Sequence, residues 1–107
     1  MIKREENPDY INSFLDYSAT ILNKSPNSIK EYNYDLAMFF RFIKIHFHMT
    51  DETDFAKIEI KDIPISVVKK ITLEDIHAFI SYMAMELRSK AATRARKVST
   101  IRIFFKY

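Results

Sequence analysis

SIKEYNYDLAMFFRFIKIHF, residues 28–47, carries the strongest amphipathic signal in the chain. Within it Ile29, Tyr32, Leu36, Phe39, Phe40, Ile43 and Phe47 recur at intervals of three and four, the spacing that puts them on one broad stripe of an amphipathic helix. At its head, Ser28 and Glu31 match a capping box, in which serine and glutamate each satisfy an orphan backbone donor, so a helix is predicted from Ser28 to about residue 47. Upstream lies turn chemistry, Asn23-Lys24-Ser25-Pro26-Asn27. Before it, Asn7-Pro8-Asp9 reads as a helix start with Asn7 as cap and Pro8 at the first helical position, and Ile11, Phe14, Leu15, Ser18 and Leu22 carry a first helix over about residues 8 to 23.

Downstream the pattern changes. From His48 to Lys70 the chain offers an acidic patch (Asp51, Glu52, Asp54) and an alternating run (Ile58, Ile60, Ile63, Ile65) interrupted by Pro64, which predicts a long structured loop with a helical turn around Ser66 to Lys69. Thr72-Leu73-Glu74-Asp75 then opens a third helix with acidic residues in its first turn and a buried face of Leu73, Ile76, Ile80, Met83 and Leu87, reaching about residue 89. A fourth begins near Ala91, is expected to bury Ala95, Val98, Ile101 and Phe105, and runs into Phe104-Phe105-Lys106-Tyr107 without a stop signal. Glycine is absent, which removes the residue that tight hairpins favour for positive φ and argues against an all-β fold. The expected architecture is all-α, a four- to five-helix orthogonal bundle forming one domain over residues 1–107.

A chain of 107 residues with 48% hydrophobic side chains can bury one core without staples. It has no cysteine, so disulfides and thiolate metal sites are excluded, and the cytoplasm is the simplest home. No apolar run approaches the roughly 20 residues of a membrane span. The net charge of +3 conceals an uneven distribution: Arg88 to Tyr107 holds seven basic and no acidic residues, whereas Met1 to Leu87 holds ten basic against fourteen acidic. The C-terminal end is built to meet a polyanion.

Candidate chemistry is sparse. His46 and His48, near Asp51, Glu52 and Asp54, lie two apart at a helix end and point to different faces, so no metal site is expected. Glu74-Asp75 reads as helix capping, and serine-nucleophile motifs and phosphate-cradling glycine loops are missing, so no catalytic residues and no cofactor are expected. On the fourth helix Thr93, Arg96, Thr100 and Tyr107 fall on the side away from Val98, Ile101 and Phe105, with Lys97 at the edge, and such residues contact phosphates and base edges when a helix lies in a major groove. The aromatics of the second helix sit at core spacing, except Tyr34, which lies off the stripe.

Taken together, Phe14-Leu15, then Ser25-Pro26-Asn27-Ser28-Ile29 with Tyr32, Asp35-Leu36, Phe39-Phe40 and Phe42, then Ile71-Thr72-Leu73-Glu74-Asp75-Ile76 through Tyr82, then Thr93, Arg96, Val98-Ser99, Arg102 and Phe104-Phe105, resemble the tyrosine recombinases of phage-integrase and Xer type, specifically their N-terminal core-binding, or SAM-like, domain. The chain departs from the family pattern in having Ser28 where threonine is commoner and a longer loop from His48 to Lys70. The resemblance implies a half-clamp on double-stranded DNA, with the second and fourth helices crossing the major groove and Ser28, Lys30, Tyr34, Thr93, Arg96, Lys97 and Thr100 facing DNA. It also implies that the catalytic residues belong to a second domain outside this chain, that the chain is not itself an enzyme, that Tyr107 is not the nucleophile, that other recombinase protomers are partners of the whole protein, and that the isolated domain is a monomer. Arg96 is the expected base-edge contact, and its replacement by alanine is expected to weaken DNA binding with little change in thermal stability. A helical protein-interaction module and a small stand-alone DNA-binding regulator are the alternatives.

Overall fold

The computed structural model describes residues 3–107. Among them the elements are a 3-10 turn Arg4–Glu6, α1 Asp9–Thr20, α2 Pro26–His46, a 3-10 turn Phe55–Lys57, α3 Ile65–Val68, α4 Leu73–Met85 and α5 Ala91–Lys106, with no strand. The fold is all-α, as the periodicities predict. Helix α2 begins one turn earlier than expected, because Ser25 is the cap: its Oγ accepts from the Ser28 backbone N–H at 3.2 Å, with Pro26 in the first turn. A proline there lacks only an N–H that would have no helical partner anyway. Likewise Pro8, not Asn7, precedes α1, and Asn7 is buried with its Nδ2 donating to Asn12 and to Asn33 at 3.1 and 2.8 Å.

Helix α2 is the axis of the core. Phe39 and Phe40 are fully buried, and their rings meet Phe79 of α4 at 5.2 Å and Phe104 of α5 at 5.8 Å respectively, while Phe14 of α1 meets Phe104 edge-on at 5.3 Å. Edge-to-face contacts of this kind add stability beyond area burial. The loop between α2 and α4 is part of the same core: Ile60 and Ile63 are buried in it. Tyr10 Oη donates to the Ile63 carbonyl at 2.8 Å, Arg41 Nε to the Ile58 carbonyl at 3.2 Å, and the buried Lys44 Nζ pairs with Asp62 at 2.5 Å. Burial, reinforced by the Asp62 charge, pushes the Tyr10 hydroxyl above its ordinary range.

Without glycine, three other residues supply the left-handed backbone that ends the long helices: Asn23, His48 and Arg88, at φ of 55°, 56° and 52°. At His48 the arrangement is a Schellman cap, with Met49 N–H donating to the Lys44 carbonyl and His48 N–H to that of Ile45.

Helix α4 starts as predicted, with Thr72 and Asp75 forming a reciprocal capping box. Leu73, expected on the buried face, instead stands 64% exposed in the first turn. Asp75 also meets His46 Nε2 at the end of α2, at 3.0 Å, tying the two helices together. Burial pushes the Asp75 carboxyl up, but the Thr72 backbone N–H, the His46 ring and the Thr72 hydroxyl outweigh it and hold the group below the usual aspartate range. Since the folded value is depressed, the stabilisation is fully present above the unfolded aspartate value of about 3.9 and is lost as pH falls through the folded one. The melting-temperature gap between wild type and Asp75→Asn should therefore hold above about pH 4 and narrow below it; a gap unchanged in acid would show that ionised Asp75 contributes nothing.

Candidate nucleic-acid interface

The facing sides of α2 and α5 are joined by a polar cluster around one carboxylate. Asp35 has 0% exposure, and three side chains of α5 converge on it. Arg96 Nη1 donates to Oδ1 and Oδ2 at 2.8 and 2.7 Å, Lys97 Nζ to Oδ1 at 2.8 Å, and Thr100 Oγ1 to Oδ2 at 2.7 Å. These four bonds match the roughly four acceptor sites an ionised carboxylate offers. At the rim, Glu31 Oε2 lies 3.6 Å from Arg96 Nη1, so two cations face two carboxylates. The Lys97 ammonium also stands 4.5 Å from the centroid of the Tyr34 ring, within cation–π range.

This cluster revises the face assigned to α5. The positions turned inward are Lys97, Thr100, Ile101 and Phe104, whereas Ala95 and Phe105 are exposed and Val98 only half-buried. Apolar periodicity placed the stripe wrongly because two of the four inward residues are polar, held there by Asp35. Lys97, 3% exposed, and Thr100, 1% exposed, are accordingly removed from the DNA-facing set, since their polar atoms are committed inside the bundle. Arg96 is different: its side chain is 40% exposed and bonds Asp35 through Nη1, leaving the edge formed by Nε and Nη2 as a pair of donors. Arg96→Ala is therefore expected to lower stability as well as DNA binding, because truncation withdraws one of the two cations holding a buried carboxylate.

The other expected contacts stand at the surface. Lys30 and Tyr34 are exposed on α2, while Ser28 and Thr93 are half-buried at the starts of α2 and α5. The Ser28 hydroxyl accepts from Ser25 Oγ at 3.1 Å. Arg96 and Glu31 pair across the two helices at their exposed edge. Of the remaining cations of the C-terminal segment, Arg88, Lys90, Arg102 and Lys106 are exposed, and Arg94 Nη1 is turned back onto the Ser89 carbonyl.

Comparison with known proteins gives the relationship. The chain is 38% identical over 101 residues to tyrosine recombinase XerC of Caldanaerobacter subterraneus subsp. tengcongensis, an alignment covering 94% of this chain. The chain is related to the N-terminal part of a tyrosine recombinase. It spans 29% of the length of that relative, so the recombinase-like region described here corresponds to an N-terminal segment of the XerC protein and not to its whole length. No family model and no solved structure matches the chain. The residues matching the recombinase pattern include Asp35, which apolar spacing passes over. Its signal in the sequence is positional: it lies four and seven residues before Phe39 and Phe42, both buried, and so on the inward stripe of α2.

Proposed function

We propose that this chain is the core-binding domain of a tyrosine recombinase and grips one side of double-stranded DNA with α2 and α5. The observation that carries the reading is the Asp35 cluster that holds α5 against α2, with Lys30 and Tyr34 exposed on one helix and Arg96 partly exposed on the other, in a chain related to a recombinase. Lys30 and Arg96 supply cations for phosphate and base edge, Ser28, Tyr34 and Thr93 supply hydroxyls that set register, and Arg88 and Lys90 extend the positive end. A helix fits the major groove, and two helices fixed against each other fit it in one orientation. The chain contributes binding and positioning; strand cleavage and rejoining belong to a catalytic domain of the whole protein, which works on DNA in the cytoplasm and assembles with further protomers.

Duplex binding by the wild-type chain, followed by fluorescence anisotropy over a series of salt concentrations, tests this. Each phosphate neutralised contributes about −0.9 to the slope of log K against log salt, so contacts through several side chains give a steep loss of affinity. The expected result is binding at low salt that weakens along such a line. Absence of binding at low salt overturns the reading and favours an acidic protein partner for α5.

A further inference from the structure

Glu31 is out of place on a surface that meets DNA. It is exposed, it follows Lys30 in α2 and stands beside Arg96, and a carboxylate beside phosphates is repelled. In the major groove, however, the bases present donors as well as acceptors: the exocyclic amines of cytosine and adenine. A carboxylate held at that depth meets one of those amines.

Arg96 narrows the choice. Asp35 binds Nη1 through both of its oxygens, so the Nε and Nη2 N–H groups stand as two further parallel donors on the same guanidinium. Glu31 Oε2 stands 3.6 Å from Nη1 on the same guanidinium. The two helices therefore offer paired donors and a carboxylate acceptor on neighbouring side chains. Across the major-groove edge a G·C pair presents acceptor, acceptor, donor, as guanine N7, guanine O6 and cytosine N4. An A·T pair presents acceptor, donor, acceptor, as adenine N7, adenine N6 and thymine O4, which leaves Arg96 only one acceptor on the purine. The complementary set, two acceptors for Arg96 and a donor for Glu31, belongs to G·C.

We infer that Glu31 and Arg96 together read one G·C base pair, Arg96 bridging guanine O6 and N7 while Glu31 accepts from cytosine N4. This rests on the duplex-binding reading above and adds the specificity it lacks. Glu31 is a specificity determinant, and Asp35 is the positioning residue that aims its partner.

The experiment selects duplexes from a pool randomised over a central window with the wild-type chain, then compares the enriched duplex with one carrying A·T at the same position and one carrying N4-methylcytosine there. Wild type should favour G·C over A·T by roughly 5- to 150-fold and bind the N4-methylated duplex several-fold more weakly, because the methyl group replaces the groove-facing hydrogen. Glu31→Ala, at an exposed position that leaves the fold intact by circular dichroism, should bind methylated and unmethylated duplexes equally. If both proteins discriminate against N4-methylcytosine alike, or Glu31→Ala binds every sequence more tightly with the G·C preference intact, Glu31 merely repels phosphate and the inference fails. Salt-dependent binding with no selected position also defeats it while leaving the duplex-binding reading standing. No binding by wild type at low salt removes both.

Discussion

Asp35→Ala is expected to lower the stability of the fold by about 3–5 kcal/mol, the cost of removing one partner from a buried ion pair. The loss comes less from the four hydrogen bonds than from what they leave behind: a Lys97 ammonium 3% exposed, a Thr100 hydroxyl reduced to its 3.3 Å bond to the Arg96 carbonyl, and an Arg96 whose remaining carboxylate is Glu31 at 3.6 Å. For a domain of this size such a change moves the melting temperature by more than about 10 °C. A second variant separates buried charge from lost packing. If Asp35→Leu is combined with Lys97→Met and Thr100→Val, the uncompensated groups are removed together and most of the stability should return. Thermal melts of wild type and both variants decide the matter. A small loss in Asp35→Ala, or no recovery in the triple variant, would show that the cluster is not the tie between α2 and α5.

The second helix was legible in the sequence because its face is made of apolar residues at helical spacing: Leu36, Phe39, Phe40 and Ile43 are all buried as the period requires, whereas of the face expected for α4 only Met83 is fully buried, beside Phe79, which that face left out. The starts of α2 and α4 were legible to different degrees for a local reason. Thr72 caps through a side chain in the pattern read, whereas two serines three residues apart, Ser25 and Ser28, both suit the cap of α2, and only the backbone shows that Ser25 holds it. In α5 the periodicity places Ile101 inside correctly but misplaces Ala95, Val98 and Phe105, because it scores hydrophobicity and this helix turns Lys97 and Thr100 inward toward a carboxylate on another helix. Nothing within residues 91 to 106 announces that arrangement; it requires Asp35, more than sixty residues away. The same long-range contact changes the site. Of seven expected DNA contacts, Lys97 and Thr100 bind Asp35 beside Arg96, and Glu31, read from the sequence as a capping residue, stands beside the residue most suited to read a base.

Replacing Arg96 by lysine should separate its two roles, which replacement by alanine merges. Arg96→Ala removes a cation from buried Asp35 and is expected to cost about 1.5 kcal/mol of stability, near the low end for a bond to a charged group because the side chain is partly exposed. A fall in DNA affinity in that variant would therefore mix lost contact with lost fold. Lysine keeps a positive charge able to reach Asp35, so the melting temperature should stay close to wild type. It lacks the planar fork that lets one side chain bond Asp35 and still offer two parallel donors. At the preferred duplex, Arg96→Lys should consequently bind about 1–3 kcal/mol more weakly, whereas on duplexes without the preferred base pair it should match wild type and leave the salt slope unchanged to within about one unit. Melts and salt-series titrations on both duplexes, run for wild type, Arg96→Lys and Arg96→Ala together, give every quantity needed. If Arg96→Lys keeps wild-type affinity and selectivity, the guanidinium serves only to hold Asp35, and base reading would have to come from Lys30, Tyr34 or Thr93 on the same surface.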